Sequence, residues 1–230
     1  MREPVSSADY DKAFDVSKPP TALVDGKQAR ALAHALDIRK FEIQLYWTRA
    51  AYFWTFIGAS LAAYGAVRTI PDLSTKEFLS VVVTCTGFVF SFAWYCVNRG
   101  SKHWQENWEN HVDLLEDAVI GPLYKTVLER PRPEVKEGAI RRHVTGPYPF
   151  SVSKVNQITS LYITALWLLL LWHSLPPFSL HAHINREYAA VVAFALGTVV
   201  LIWQWGRTHE SDHRLTAWQR RTGIAEPPTS

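Results

Sequence analysis

With 230 residues, a formal net charge of +3 and a mean hydropathy of −0.06, the chain has the average composition of a soluble domain. Its apolar residues, however, are gathered into long uncharged stretches between charged segments, which excludes an ordinary soluble fold. The two cysteines, Cys85 and Cys96, would lie about 16 Å apart along one helix, which excludes a disulfide framework and a structural zinc site.

The first membrane span is predicted to continue a helix that begins well before it. Residues 1–24 are polar and without a period, which predicts a flexible cytoplasmic tail. From Asp25 onward the apolar spacing is helical, and after Gly26 no Gly or Pro interrupts it until Gly58. We therefore expect one helix over 25–67 that runs from the cytoplasm through a span at 50–67.

This first span is rich in small residues. It has five Leu, Ile, Phe and Val residues against ten in the second span, so its own insertion energy is small. Gly58, Ala62 and Ala66 recur at four-residue spacing, a pattern that allows close helix packing in membranes. The pattern predicts an inner helix that faces protein.

Three further spans are predicted at 78–97, 158–175 and 188–206. None contains Asp, Glu, Lys or Arg, and each is about as long as a bilayer is thick. An outer turn and the second span together occupy 68–97, and Pro176 and Pro177 end the third span. The predicted fold class is all-α, a polytopic membrane protein with four transmembrane helices and cytoplasmic helical extensions, the last two spans occupying 158–206.

Residues 98–157 are predicted to form a cytoplasmic helical region that ends in a Pro-rich connection. The segment from Asn98 to Ser101 predicts a helix break or cap after the second span, and an apolar stripe follows on the next helix. The opposite face of that helix is acidic, which opposes nucleic-acid binding because phosphates need Lys and Arg. The stripe predicts packing against the first helix or against another subunit. We name it the assembly face, and it comprises Trp104, Trp108, Val112 and Leu115.

The basic residues predict the orientation. Residues 1–49, 98–157 and 207–230 hold 21 of the 24 Lys and Arg, and all three segments lie on one side of a four-span chain. The positive-inside rule places that side in the cytoplasm. We expect a multi-pass membrane protein with both termini, including the tail 207–230, in the cytoplasm.

One short motif has the form of a zinc site. His209, Glu210 and His213 form an HExxH pattern, in which a helix presents two metal ligands and a general base. A charged residue lies between the two histidines and no third metal ligand is evident. A solvated helix end is therefore favoured over a zinc site. We expect no catalytic, cofactor-binding or metal-binding residues, and no cofactor.

Two aromatic-rich stretches carry a family resemblance. They are residues 41–54 (FEIQLYWTRAAYFW) and residues 98–113 (NRGSKHWQENWENHVD). Over about residues 30–130 the chain resembles the bacterial RipA family of octameric membrane proteins. The resemblance implies a cytoplasmic-membrane protein that forms homo-oligomers, with no defined reaction.

Three hypotheses of function follow. The leading one is a homo-oligomeric inner-membrane protein, not an enzyme, that acts by assembly or scaffolding. Its partners are the lipid bilayer, copies of itself (an octamer by the resemblance) and a cytoplasmic protein, with no nucleic acid. The alternatives are a membrane-perturbing effector of antiphage defence, with Thr84, Thr86 and Ser91 lining a path, and an HExxH zinc membrane protease.

Overall fold

The computed structural model describes residues 26–128, 148–176 and 185–207, and within these ranges every regular element is an α-helix. Four helices occur there: α1 Lys27–Val67, α2 Leu73–Leu115, α3 Val152–Ser174 and α4 Arg186–Trp205. Each is long and apolar enough to cross a membrane. The predicted all-α, four-span fold is confirmed, while most of the tails, of the Pro-rich connection and of the outer loop after α3 lies outside the described residues.

The first helix is long and unbroken. α1 has 41 residues and begins at Lys27, two residues after the expected start. At 1.5 Å per residue it is about 61 Å long, twice the roughly 30 Å of a bilayer's hydrocarbon core. About half of α1 therefore extends beyond the membrane.

The predicted break at Asn98 to Ser101 is wrong, because α2 continues through it to Leu115. The side chains that could have ended the helix have partners on other helices. Asn98 is buried, and its Nδ2 donates to Ser160 Oγ and to the Asn156 carbonyl, both at 3.4 Å. Ser101 Oγ accepts from Arg49 at 3.2 Å. Side chains engaged in this way do not compete for the backbone of their own helix.

Side-chain caps mark the starts of α2, α3 and α4. Asp72 Oδ2 accepts from the Thr75 backbone N–H and the Ser74 hydroxyl, both at 2.8 Å, at the start of α2. Hydrogen bonds from Thr75, with a smaller contribution from Ser74, lower the pKa of this carboxyl to about 2 because they stabilise its charged form. Ser151 and Asn185 cap α3 and α4 in the same manner.

α2 is the central helix, and it packs against α1, α3 and α4. α1 runs antiparallel to it, with Phe56 stacked on Phe90 at 5.2 Å between ring centroids. α4 runs parallel to it, with Phe78 beside Tyr188 near their starts and Phe92 beside Trp203 near their ends. We call the end of the bundle at residues 68–72 the turn end. The opposite end, where α1 and α2 project, is the extension end.

Candidate assembly surfaces

Most of the assembly face packs inside one chain. Val112, only 1% exposed, forms a core with Leu32 and Ala35 of α1. Trp108 and Leu115 pack against the same core. The two projecting helices therefore form a hairpin with its own apolar seam. Of the two kinds of packing that the stripe predicted, the described chain contains the one with the first helix.

Trp104 is the member of the assembly face that differs. Its side chain is 41% exposed, and its ring packs edge-on with the ring of its neighbour His103. It lies nearer the membrane than the core of the hairpin. That the assembly face contacts a second copy stays a prediction, and the surface of Trp104 is where such a contact has room.

The acidic face of the α2 extension contains one residue with a different role. Glu116 is fully buried, and its two carboxylate oxygens accept from the backbone N–H groups of Tyr124 at 2.8 Å and Lys125 at 3.1 Å. Helical spacing places Glu116 on the acidic face of the helix, but the structure buries its carboxylate. The turn that follows α2 folds back over it through Gly121, whose φ of 75° suits glycine. The helical period could not reveal this because the partners lie beyond the helix.

Other charged side chains of the extension end form partly exposed pairs. Lys102 Nζ lies 3.4 Å from Glu106 and 3.5 Å from Glu109, and Arg39 also reaches Glu109 at 3.5 Å. Lys125 donates to Asp117 at 2.6 Å, and this hydrogen bond raises its pKa. Exposed pairs of this kind contribute at most about 1 kcal/mol each, so the apolar seam dominates the hairpin's stability.

The small face of α1, defined by Gly58, Ala62 and Ala66, is exposed along its whole length. Apart from the backbone of its own helix and its two chain neighbours, no atom of the described chain lies within 4 Å of where a β-carbon on Gly58 would be. The buried side of this span is the opposite one, with Ile57 and Ser60. The predicted protein-facing role of the small face is therefore not fulfilled within one chain, and a second copy would have to supply the partner.

A groove of about 590 Å³ opens between α2 and α4 within the membrane-spanning region. It extends from Val82 to Phe90 on α2 and from Ala190 to Thr198 on α4. Its floor is formed by buried Cys85 and Ala195 of the bundle core. The lining is almost wholly apolar. The sequence could not indicate this groove, because it depends on how two helices separated by 70 residues diverge.

The three hydroxyl residues considered for a pore do not share a surface. Thr84 and Ser91 are fully buried, and their hydroxyls donate to the carbonyls of Ser80 and Gly87 in their own helix, each at 2.7 Å. Thr86 instead is exposed in the α2–α4 groove. Within one chain, these residues do not line a single path.

The described residues contain no group of three or more His, Cys, Asp or Glu placed to hold a metal ion. The HExxH residues His209, Glu210 and His213 lie outside the described ranges. The zinc hypothesis therefore stays a prediction that chemistry, rather than geometry, has to test.

One comparison with known proteins gives a match. The model of the octameric membrane protein family (8xMP) matches residues 29–176, which include nearly all of α1 and the whole of α2 and α3. The match reaches about 45 residues further than the resemblance over residues 30–130, so α3 belongs to the matched region as well. The narrower RipA name stays a prediction. No curated protein and no solved structure is similar enough to the chain to count as a match.

Proposed function

We propose, because the chain belongs to the octameric membrane protein family, that it is a homo-oligomeric membrane protein that acts through assembly and not through catalysis. The observation that carries the proposal is the small face of α1. It lies in a membrane span, is built for close helix contact, and has no partner in its own chain among the described residues.

The physical argument concerns what drives helices together in lipid. Apolar side chains gain little there by leaving lipid for protein, so close backbone packing is the main source of association energy. A face made of Gly58, Ala62 and Ala66 offers such packing to a neighbouring helix. Lipid chains would cover it less well than a helix that fits its shape.

We further propose that the extension end lies in the bacterial cytoplasm. The described extension carries most of the basic residues near the membrane, among them Arg49, Arg99 and Lys102, whereas Arg68 and Lys76 lie between the first two predicted spans. The positive-inside rule favours this orientation. The hairpin of α1 and α2 then becomes a cytoplasmic platform for a protein partner.

The mass of the native particle tests the assembly proposal. The chain, extracted in a mild detergent or in native nanodiscs, should have a mass that is a multiple of 26.2 kDa. Gly58→Leu with Ala62→Leu should lower that mass, because bulk on the small face prevents close packing. Gly197→Leu is the matched control, since Gly197 is also exposed with no atom nearby. A monomeric parent chain would refute the proposal.

A membrane-perturbing effector of antiphage defence receives less support. Of the three residues predicted to line its pore, Thr84 and Ser91 are buried, and their hydroxyls donate hydrogen bonds within their own helix. It predicts that expression depolarises cells, which a potential-sensitive dye measures. The zinc protease receives no support from the described residues, and metal analysis of purified chain and of His213→Ala tests it directly.

A further inference from the structure

The small face of α1 and the α2–α4 groove lie at the same depth in the membrane. In the antiparallel α1–α2 pair, Phe56 stacks on Phe90 and Trp54 lies edge-on to Trp94. Because both helices rise 1.5 Å per residue, Gly58 and Ala66 lie at about the depths of residues 89 and 81 of α2. This is the part of α2 that lines the groove, from Val82 to Phe90.

The other wall of the groove has the same register. In the parallel α2–α4 pair, Phe78 contacts Tyr188 and Phe92 contacts Trp203, so positions on α4 are offset by about 110 residues. The groove wall from Ala190 to Thr198 therefore spans the same depth as residues 82–90 of α2. A helix that entered the groove at this level would meet both walls along about two turns.

The two surfaces also match in shape and chemistry. The groove is shallow, apolar and open to the side, so a helix can enter it only where its side chains are small. The stripe on α1 provides this over the matching turns, and neither surface carries a charge that burial would desolvate.

The same face of α2 continues out of the membrane to Trp104. Trp104 follows Thr86 by 18 residues, which is five helical turns, so both residues point in about the same direction. By the antiparallel register, Trp104 lies at about the depth of residue 43 on α1, near the exposed Trp47. A neighbour bound in the groove would thus also reach Trp104.

We infer that the small face of α1 in one copy inserts into the α2–α4 groove of the next copy, with Trp104 extending the contact. This inference rests on the proposed homo-oligomer and specifies its geometry. The two surfaces are different and do not overlap, so each copy can use both at once. Repeated head-to-tail contacts of this kind form a ring when the rotation between copies closes, whereas a contact between two identical surfaces stops at a dimer.

Disulfide cross-linking between two differently tagged chains tests the inference. Both chains carry Cys85→Ala and Cys96→Ala, and one adds Ala62→Cys while the other adds Thr86→Cys. When they are co-expressed and oxidised in intact membranes, we expect a band at the mass of two chains that carries both tags. Neither chain alone should form that band. A single chain with both new cysteines should form a ladder of higher multiples.

A matched control uses a position at similar depth on another surface. Leu169 is an exposed residue of α3 at about the level of Thr86, because Trp167 packs on Gly87. Leu169→Cys in place of Ala62→Cys should give no mixed band. Equal cross-linking from Leu169→Cys would overturn the inference, since it would indicate collision rather than a fixed contact.

The outcomes separate this inference from the proposal beneath it. If the native particle is oligomeric but the mixed band is absent, the inference is overturned and the homo-oligomer stands, with lipid left to fill the groove. If Ala62→Cys cross-links to itself, α1 pairs with α1 and the head-to-tail contact is wrong. A monomeric native particle would refute the homo-oligomer first.

Discussion

The indole of Trp167 on α3 lies against Gly87 on α2 so closely that a β-carbon at position 87 would overlap its ring. Trp167 is fully buried, and the edge of its ring meets Tyr64 of α1 at 6.4 Å between centroids. One side chain therefore joins three helices. The absence of a side chain at Gly87 sets how near α2 and α3 approach.

Gly87→Ala should weaken the bundle. The indole cannot move aside because it is enclosed on every side, so the helices have to separate at a cost of about 1–3 kcal/mol. Thermal unfolding in detergent measures the loss. Gly197→Ala, at an open helical position, should be neutral or slightly stabilising. Adding Trp167→Leu to Gly87→Ala should recover part of the loss, and no recovery would mean that the clash is not the cause.

Tyr46→Phe should loosen the link between α1 and α3. The Tyr46 hydroxyl accepts a hydrogen bond of 2.6 Å from Asn156 Nδ2, and Tyr46 is buried. Its removal leaves an amide donor unpaired, which should lower the free energy of unfolding by about 0.5–1.5 kcal/mol. Tyr52→Phe, on the exposed side of α1, is the control and should change stability little.

Glu116→Ala should release the turn that follows α2. The backbone N–H groups of Tyr124 and Lys125 would lose their acceptors, at a cost of about 1–3 kcal/mol. Hydrogen exchange at these two amides should speed up, while exchange within the spans stays slow. Glu106→Ala removes an exposed carboxylate of the same helix and should leave both amides protected. Unchanged exchange in Glu116→Ala would contradict the capping role.

Trp104→Ala and Trp108→Ala should have different effects. Trp108 packs in the seam of the hairpin, so its truncation should lower stability by about 2 kcal/mol, less than for a fully buried Trp. Trp104 is exposed, so its truncation should leave stability unchanged and reduce the mass of the native particle. Thermal unfolding and native mass, measured on both variants, separate the two roles. A native mass unchanged in Trp104→Ala would remove it from the interface.

Reporter fusions should place the extension end in the cytoplasm. A fluorescent reporter that folds only in the cytoplasm should be active after residues 125 and 230, and a periplasmic phosphatase only after residues 72 and 182. The physical reason is the bias of basic residues toward the extension side. Phosphatase activity after residue 125 would reverse the orientation and remove the proposed cytoplasmic platform.

The four spans could be predicted because an apolar stretch that is uncharged and long enough to cross a bilayer rarely belongs to a soluble fold. The sequence also identified the apolar stripe from Trp108 to Leu115, since helical spacing reveals which residues share a face. It could not reveal which helix covers that face. Leu32 and Val112 are 80 residues apart, and only the reversal of the chain at residues 68–72 brings them together.

The small residues also show that a sequence reveals a packing face without revealing its partner. The spacing of Gly58, Ala62 and Ala66 predicts a packing face, yet α2 packs against the opposite side of α1. The sequence gives no signal at Gly87, although a β-carbon there would overlap the ring of Trp167 on α3. A glycine in a span indicates that another helix can pack closely there, but which helix does so depends on how all the helices are arranged.

The unbroken course of α1 and α2 makes the membrane boundary mechanically stiff. Neither helix has a joint where it leaves the lipid, and the hairpin seam clamps the pair together outside. The two therefore behave as a lever whose outer arm is about 30 Å long, so a sideways push of about 5 Å at the tip tilts both spans by about 10°. Force applied to the hairpin reaches the middle of the bilayer as rotation, without any helix having to unfold.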